Sequence, residues 1–262
     1  MILGRGGKSV LARVLTRDQA VSIALEFRAA RAISLKDSEA FDEIIFAIER
    51  LGAFLTRSKG NLGKFETAIT EIAHDSVLAA KASQANPILH LSFAALYDSV
   101  RAGRNDAFHE GAVARQLANH AQELALVIED ALMSRAKAAA EFMVRDPVCA
   151  EPWHPLSTIR RTMLLNAFSF LPYGVKGANK WRLISDAGIA TFLNSSSKSE
   201  RDTRLLLTLD EALKMGLKDT KPMFCSPDTT ITELASKATF VPYLVLAGKD
   251  RLCGIVTAFD LL

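Results

Sequence analysis

Between Arg17 and Lys137, Ala, Leu, Ile and Phe recur at spacings of three and four and Pro is nearly absent. This is the period of helices that bury one face. The spacing predicts helices over about 17–32, 38–57, 63–82, 87–103 and 111–140. Asp37 and Ser38 stand where the second would be capped. Asn86, followed by Pro87 at a first helical position, opens the fourth, and Gly60, Gly63, Gly103 and Gly111 punctuate the breaks. The expectation is an all-α helical bundle over 17–138, preceded by a flexible tail over 1–16.

After Phe142 the texture changes, because Pro147, Pro152, Pro155, Pro172, Pro222, Pro227 and Pro242 are seven of the eight prolines. A domain boundary is expected there. The region 139–262 also repeats a plan, with copies over 139–206 and 207–262. Each opens with a helix (Ser134 to Met143; Leu209 to Met215) and a short strand bounded by Pro-x-x-x-x-Pro (Pro147 to Pro152; Pro222 to Pro227). A helix, a strand after Leu171-Pro172-Tyr173 or Val241-Pro242-Tyr243, another strand and a short helix follow. The closing stretches Arg182–Phe192 and Arg251–Leu261 share apolar strand, hydroxyl residue and short helix. Units too small to bury their own apolar faces pair, and the cleft between them is where binding is expected. The fold class is therefore two domains, the second α/β.

The 262 residues, 49% hydrophobic, provide a core for each domain. Net charge is +3, divided as 17 Lys/Arg against 16 Asp/Glu over 1–140 and 15 against 13 over 141–262. Neither half is a basic nucleic-acid glove, and no DNA-binding motif is seen. Polyanion contact would need a local cluster: Arg101 with Arg104, Arg57 with Lys59 and Lys64, or Lys176, Lys180 and Arg182. Each of these equally fits a solvated face. Cys149, Cys225 and Cys253 are odd in number and lack a C-x-x-C pair, so a reduced cytoplasmic setting without structural zinc is expected. No apolar run is long enough for a membrane span or signal peptide. Gly4-Arg-Gly-Gly-Lys-Ser9 lacks phosphate-loop spacing and has no strand before it.

Phe142-Met-Val-Arg-Asp-Pro-Val148, Ser169-Phe-Leu-Pro-Tyr173 and Gly254-Ile-Val-Thr-Ala-Phe-Asp-Leu-Leu262 carry a resemblance of residues 141–262 to a tandem pair of CBS domains, a Bateman module. The resemblance implies a regulatory adenosyl ligand: AMP, ADP, ATP or S-adenosylmethionine. It implies a hydroxyl-x-x-Asp motif at Thr257 and Asp260 for ribose and phosphate, with Ile255, Val144 and Cys149 near the base and Phe168 and Ser169 beside it. A carboxylate can accept two bonds from a ribose diol. Thr257 and Asp260 also have the spacing to cap the last helix, which leaves a purely local role open. The first copy departs, with Ser185 in the hydroxyl place and Gly188 where Asp is expected. Eleven residues separate Ile231 from Pro242 against sixteen between Leu156 and Pro172, so the second copy's middle helix is expected to be short. One lopsided site is the expectation.

In the helical half, Arg104-Asn105-Asp-Ala-Phe-His109 lies at the junction of two predicted helices and opens the last. It makes 17–138 resemble a HEPN domain, whose R-x(4 to 6)-H motif marks metal-independent ribonucleases. The resemblance implies a homodimer lining one cleft with both motifs, His109 transferring the proton, Arg104 gripping the scissile phosphate, Asn105 orienting it, and an RNA substrate cleaved without metal. Helix-end roles for the same residues remain open. Two functions follow: a nucleotide-gated RNA endonuclease, or a non-catalytic nucleotide sensor or adaptor whose helical domain dimerises or binds a partner.

Overall fold

The computed structural model describes residues 13–106, 111–134, 136–175, 181–194, 197–248 and 250–262. The chain divides into two compact units, 1–136 and 137–262.

The first unit holds α1 (Arg17–Lys36), α2 (Asp42–Thr56), α3 (Leu62–Ala73), a short α4 (Ser83–Ala85), α5 (Phe93–Asp106) and α6 (Gly111–Met133). A capping box starts α1: the Gln19 N–H donates to Thr16 Oγ1 at 3.3 Å and the Thr16 N–H to Gln19 Oε1 at 3.1 Å. Phe27, Ile44, Ile48, Leu51, Leu55, Phe65, Ile69, Leu96, Tyr97, Leu124 and Ile128 form its core. Gly52 permits the closest approach in it, since a Cβ there would lie 2.3 Å from the Phe65 ring. The bundle also buries an ion pair. Glu129 on α6, 5% exposed, accepts from Arg31 Nε at 2.7 Å and Arg31 Nη2 at 3.0 Å on α1.

Helix boundaries differ from the expectations where side chains compete with the backbone. The run over 63–82 stops at Ala73, because the Ser76 hydroxyl donates to Asp130 Oδ2 on α6 at 2.5 Å and accepts from the N–H groups of Leu78 and Ala79. A wide helical turn (Leu78–Ala82) then leads into α4. The fourth helix starts at Phe93 rather than Pro87. Ser92 accepts from the Ala95 N–H at 3.2 Å, while Ile88 and Leu89 stand exposed, so little burial of an apolar face supports a helix there. Asp37 caps a single turn (Ser38–Phe41), so α2 begins four residues later than expected. The last helix ends at Met133 rather than about 140.

The second unit runs α7 (Ala139–Phe142), β1 (Val144–Arg145), α8 (Leu156–Asn166), β2 (Phe170–Gly174), β3 (Trp181–Ser185), α9 (Asp186–Leu193), α10 (Lys198–Leu206), α11 (Leu209–Lys214), β4 (Met223–Cys225), α12 (Ile231–Ser236), β5 (Tyr243–Ala247) and β6 (Arg251–Val256). One sheet has the order β1-β6-β5-β4, and β2 pairs with β3 in a second. The copies over 139–206 and 207–262 do not fold as separate bodies. Each opening helix belongs to the other copy's core, and so does the extended segment just after it: β1 pairs with β6, and Thr220 bridges to Leu183, whereas β4 stays with β5 of its own copy. Ala139 N–H donates to Thr229 O, Ala140 N–H to Pro227 O and Ile231 N–H to Lys137 O. In the same pattern Leu209 N–H donates to His154 O, Asp210 N–H to Pro152 O and Leu156 N–H to Leu207 O. The second proline of each Pro-x-x-x-x-Pro thus supplies an equivalent acceptor. Accordingly Ala139 and Met143 share a core with Leu234, Tyr243, Val245 and Val256, whereas Leu209, Ala212 and Leu217 share one with Leu156, Leu171 and Ile184.

The exchanged segment before β4 is further pinned to the first copy. Leu183 and Thr220 bond reciprocally, and Asp219 receives both arms of the Arg182 guanidinium at 2.8 Å and the Tyr173 hydroxyl at 2.6 Å. Arg182 is therefore engaged with a carboxylate, which removes it from the basic cluster with Lys176 and Lys180; those two lie outside the described residues.

Glu129→Ala should lower stability by about 2–4 kcal/mol, because it strands the Arg31 guanidinium beside an apolar core; urea unfolding followed by circular dichroism reads this directly. A second expectation concerns pH. The Arg182 fork, aided by the Tyr173 hydroxyl, holds the Asp219 carboxyl below the usual carboxylate range. A folded-state value below the unfolded value of about 3.9 gives a stabilisation that is present above that pH and is lost as pH falls through the folded value. Asp219→Asn should therefore flatten the acid limb of the melting temperature against pH, and an unchanged limb would refute the assignment.

Candidate functional site

The closing strand alternates in burial. Gly254 and Val256 face the core, where Met143 sits so near that a Cβ on Gly254 would lie 2.3 Å from its sulfur. Ile255 faces the other way. The exchanged β1 places Val144 directly opposite Ile255, so the two side chains share one face, and Val144 is 49% exposed. Two residues beyond Ile255 the same side of the strand ends in Thr257. There the chain turns into a single helical turn (Ala258–Leu261), and Asp260 Oδ2 accepts from both the Thr257 N–H and the Thr257 hydroxyl, each at 2.8 Å. Val144, Ile255, Thr257 and Asp260 thus form an open apolar edge that ends in an oriented carboxylate. The capping role left open for Thr257 and Asp260 is realised in these bonds.

The remaining site residues belong to the first copy. Cys149 precedes Ala150, which bridges to Tyr173, and its thiol donates to the Pro147 carbonyl at 3.2 Å. Burial pushes that thiol above its usual range, and Glu151 adds to the effect. The Phe168 N–H donates to the Met163 carbonyl at the end of α8, and the Ser169 carbonyl accepts from the Asp186 N–H at the start of α9.

The matching place in the first copy is closed. Leu183, two residues before Ser185, is fully buried and pairs through its backbone with the exchanged Thr220. Ser185 Oγ accepts from the Gly188 N–H at 3.0 Å, and a Cβ on Gly188 would lie 3.0 Å from both Ser185 Oγ and the Lys218 carbonyl. A side chain at 188 would crowd the exchanged segment, so glycine here both eases that close approach and leaves out the carboxylate. The second copy's middle helix is the shorter, α12 having 6 residues against 11 in α8.

Within the bundle, the backbone of Arg104 and Asn105 lies in the last turn of α5, and α6 begins at Gly111. His109 and the side chains of Arg104 and Asn105 lie outside the described residues. Arg101 is removed from any phosphate-binding cluster because it pairs with Glu66 and Asp98 at 2.6 Å each. Lys64 likewise donates to the Lys59 carbonyl. Among the described residues no helix is long and apolar enough to cross a membrane.

No protein-family model and no curated protein matches the chain. Solved structures of CBS-domain proteins are similar to about half of it. AcuB of Vibrio cholerae is 21% identical over 47% of this chain and 85% of its own, with a TM-score of 0.38. A CBS-domain-containing protein of Agrobacterium tumefaciens is 14% identical over 48% and 91%, with a TM-score of 0.36. CBSX2 in complex with AMP is 12% identical over 47% and 92%, also at 0.36. A likeness of this degree carries over neither ligand nor activity.

The Asp219-Arg182-Tyr173 pin escaped sequence reading because Asp219 lies 37 positions from Arg182 and 46 from Tyr173. The signal available was the Pro-anchored repeat, which marks Lys218–Thr220 as the counterpart of the strand before Pro147. Gly188→Asp, which restores the motif in letters, should cost about 1–3 kcal/mol through the Lys218 carbonyl contact. It should add no second ligand site, as denaturation midpoints and titration stoichiometry would report.

Proposed function

We propose that residues 137–262 act as a CBS pair that binds one adenine nucleotide at the edge formed by Val144, Ile255, Thr257 and Asp260, and that the protein is a nucleotide sensor. The observation that carries this reading is the inequality of the two copies. The second presents half-open apolar side chains leading to an oriented carboxylate, and the first fills the matching space with Leu183 and the Lys218 carbonyl. The bonds from Thr257 hold the Asp260 carboxylate at the end of the apolar edge, and a carboxylate is a group that can accept from both hydroxyls of a ribose diol. Val144 and Ile255 supply the apolar surface that a planar base needs, in the usual mixture of apolar wall and a few placed polar groups.

The helical unit is the output of this sensor, as an adaptor that binds a partner or a second copy. A second reading makes it an RNA endonuclease gated by the nucleotide. It rests on the sequence motif Arg104-x-x-x-x-His109, whose Arg104 backbone lies in the last turn of α5, and it requires that His109→Ala abolish RNA cleavage.

Isothermal titration of the full chain with AMP, ADP, ATP and S-adenosylmethionine should give one site for at least one of them. Asp260→Ala should weaken that ligand at least tenfold, about 1.4 kcal/mol, while loss of the cap lowers stability by about 1 kcal/mol. Silence with all four ligands, or wild-type affinity in Asp260→Ala, overturns the reading.

A further inference from the structure

A cleft of about 730 Å³ opens between α8, α9 and α10 on the first copy, remote in sequence from the Thr257 edge. It exists because α10 buries no residue fully and is held at its far end instead. Arg204 stacks on the Phe192 ring at 5.3 Å, donates to the Phe192 carbonyl and pairs with Glu200. The charged helix therefore roofs the groove between α8 and α9 without filling it.

The lining divides by chemistry. Met163, Leu164, Ile189 and Leu193 make an apolar floor, on which Leu164 remains 64% exposed. Arg160 and Arg201 stand at the margin. Unlike Arg182 and Arg204, neither is engaged by a carboxylate or carbonyl among the described residues. Asp186 also borders the cleft, and its Oδ1 accepts from the Ala187 N–H at 2.6 Å at the head of α9. Two guanidiniums and one carboxylate leave a local charge of +1, which balances a monoanion and undercompensates a phosphate dianion.

We propose that this cleft binds a long-chain carboxylate. Its headgroup would accept paired N–H bonds from Arg160 and Arg201, a geometry that suits guanidinium and carboxylate in both shape and charge. Its chain would cover Leu164 and lie along Met163, Ile189 and Leu193. The volume falls within the ordinary range for small-molecule sites, roughly 300–1,000 Å³, and the thioether of Met163 adapts to an unbranched chain. The site does not depend on the nucleotide reading.

Dodecanoate titrated calorimetrically into the full chain should bind at one saturable site, and dodecyltrimethylammonium, with the same tail and opposite charge, should not. Arg160→Gln combined with Arg201→Gln should weaken dodecanoate at least tenfold, and Leu164→Asn should weaken it severalfold. All three positions are exposed, so the melting temperature should hold. Asp186→Asn should tighten binding, because it removes the opposing charge and keeps an acceptor for Ala187. Asp260→Ala should bind dodecanoate as wild type does, which separates this site from the nucleotide edge. Equal binding of the cationic amphiphile, an unchanged affinity in the double arginine variant, or no binding of dodecanoate to the wild type would each overturn the proposal.

Discussion

In the C-terminal unit the backbone of each copy's middle-helix entry is completed by the other copy. Carbonyls of Pro152, His154, Pro227 and Thr229 accept from the opening helix of the opposite half, and the N–H groups of Leu156 and Ile231 return the bond. Such groups would be costly to bury unpaired. The exchange therefore ties the two cores into one folding problem: a change in the segment before either copy is felt in the other. It also places β1 beside β6, and that placement builds the open apolar edge.

The same exchange produces the asymmetry between the two copies on which the proposed nucleotide site rests. On one side the exchanged segment contributes a half-exposed Val144, and on the other it contributes Thr220, paired with the buried Leu183, with Asp219 locked by Arg182 and Tyr173. Gly188 is the residue that tolerates this closure. Loss of the motif carboxylate and loss of the space around it are a single structural fact. The first copy has its own opening elsewhere, on its helical side, where α8, α9 and α10 border a cleft with two guanidiniums at the margin of an apolar floor.

In the helical unit, local preference and long-range contact divide the work. Caps at Thr16, Asn61 and Ser92 start helices whose apolar stripes meet in a close-packed core. Where a polar side chain finds a distant partner, the helix yields, as Ser76 does for Asp130. The Arg31 and Glu129 pair is a further long-range constraint, joining the first and last helices across 98 positions of sequence.

Much of this was legible in the chain itself. The three-and-four spacing before Lys137 marks helices because their faces must alternate in polarity. The paired Pro-x-x-x-x-Pro and Pro-Tyr positions mark a repeat, since proline restricts backbone at equivalent turns. Thr257 with Asp260, set against Ser185 with Gly188, marks one copy as better equipped than the other. What the sequence leaves undetermined is whatever depends on residues far apart in it: the end of α3 at Ala73, the late start of α5, the exchange of opening segments, the burial of Leu183 and the cleft under α10. Periodicity and spacing report a residue's neighbours within about one or two turns. Only the tertiary structure brings Asp130 to Ser76, Val144 to Ile255 and Asp219 to Arg182, because those pairings are selected by the burial of whole faces and not by any local preference.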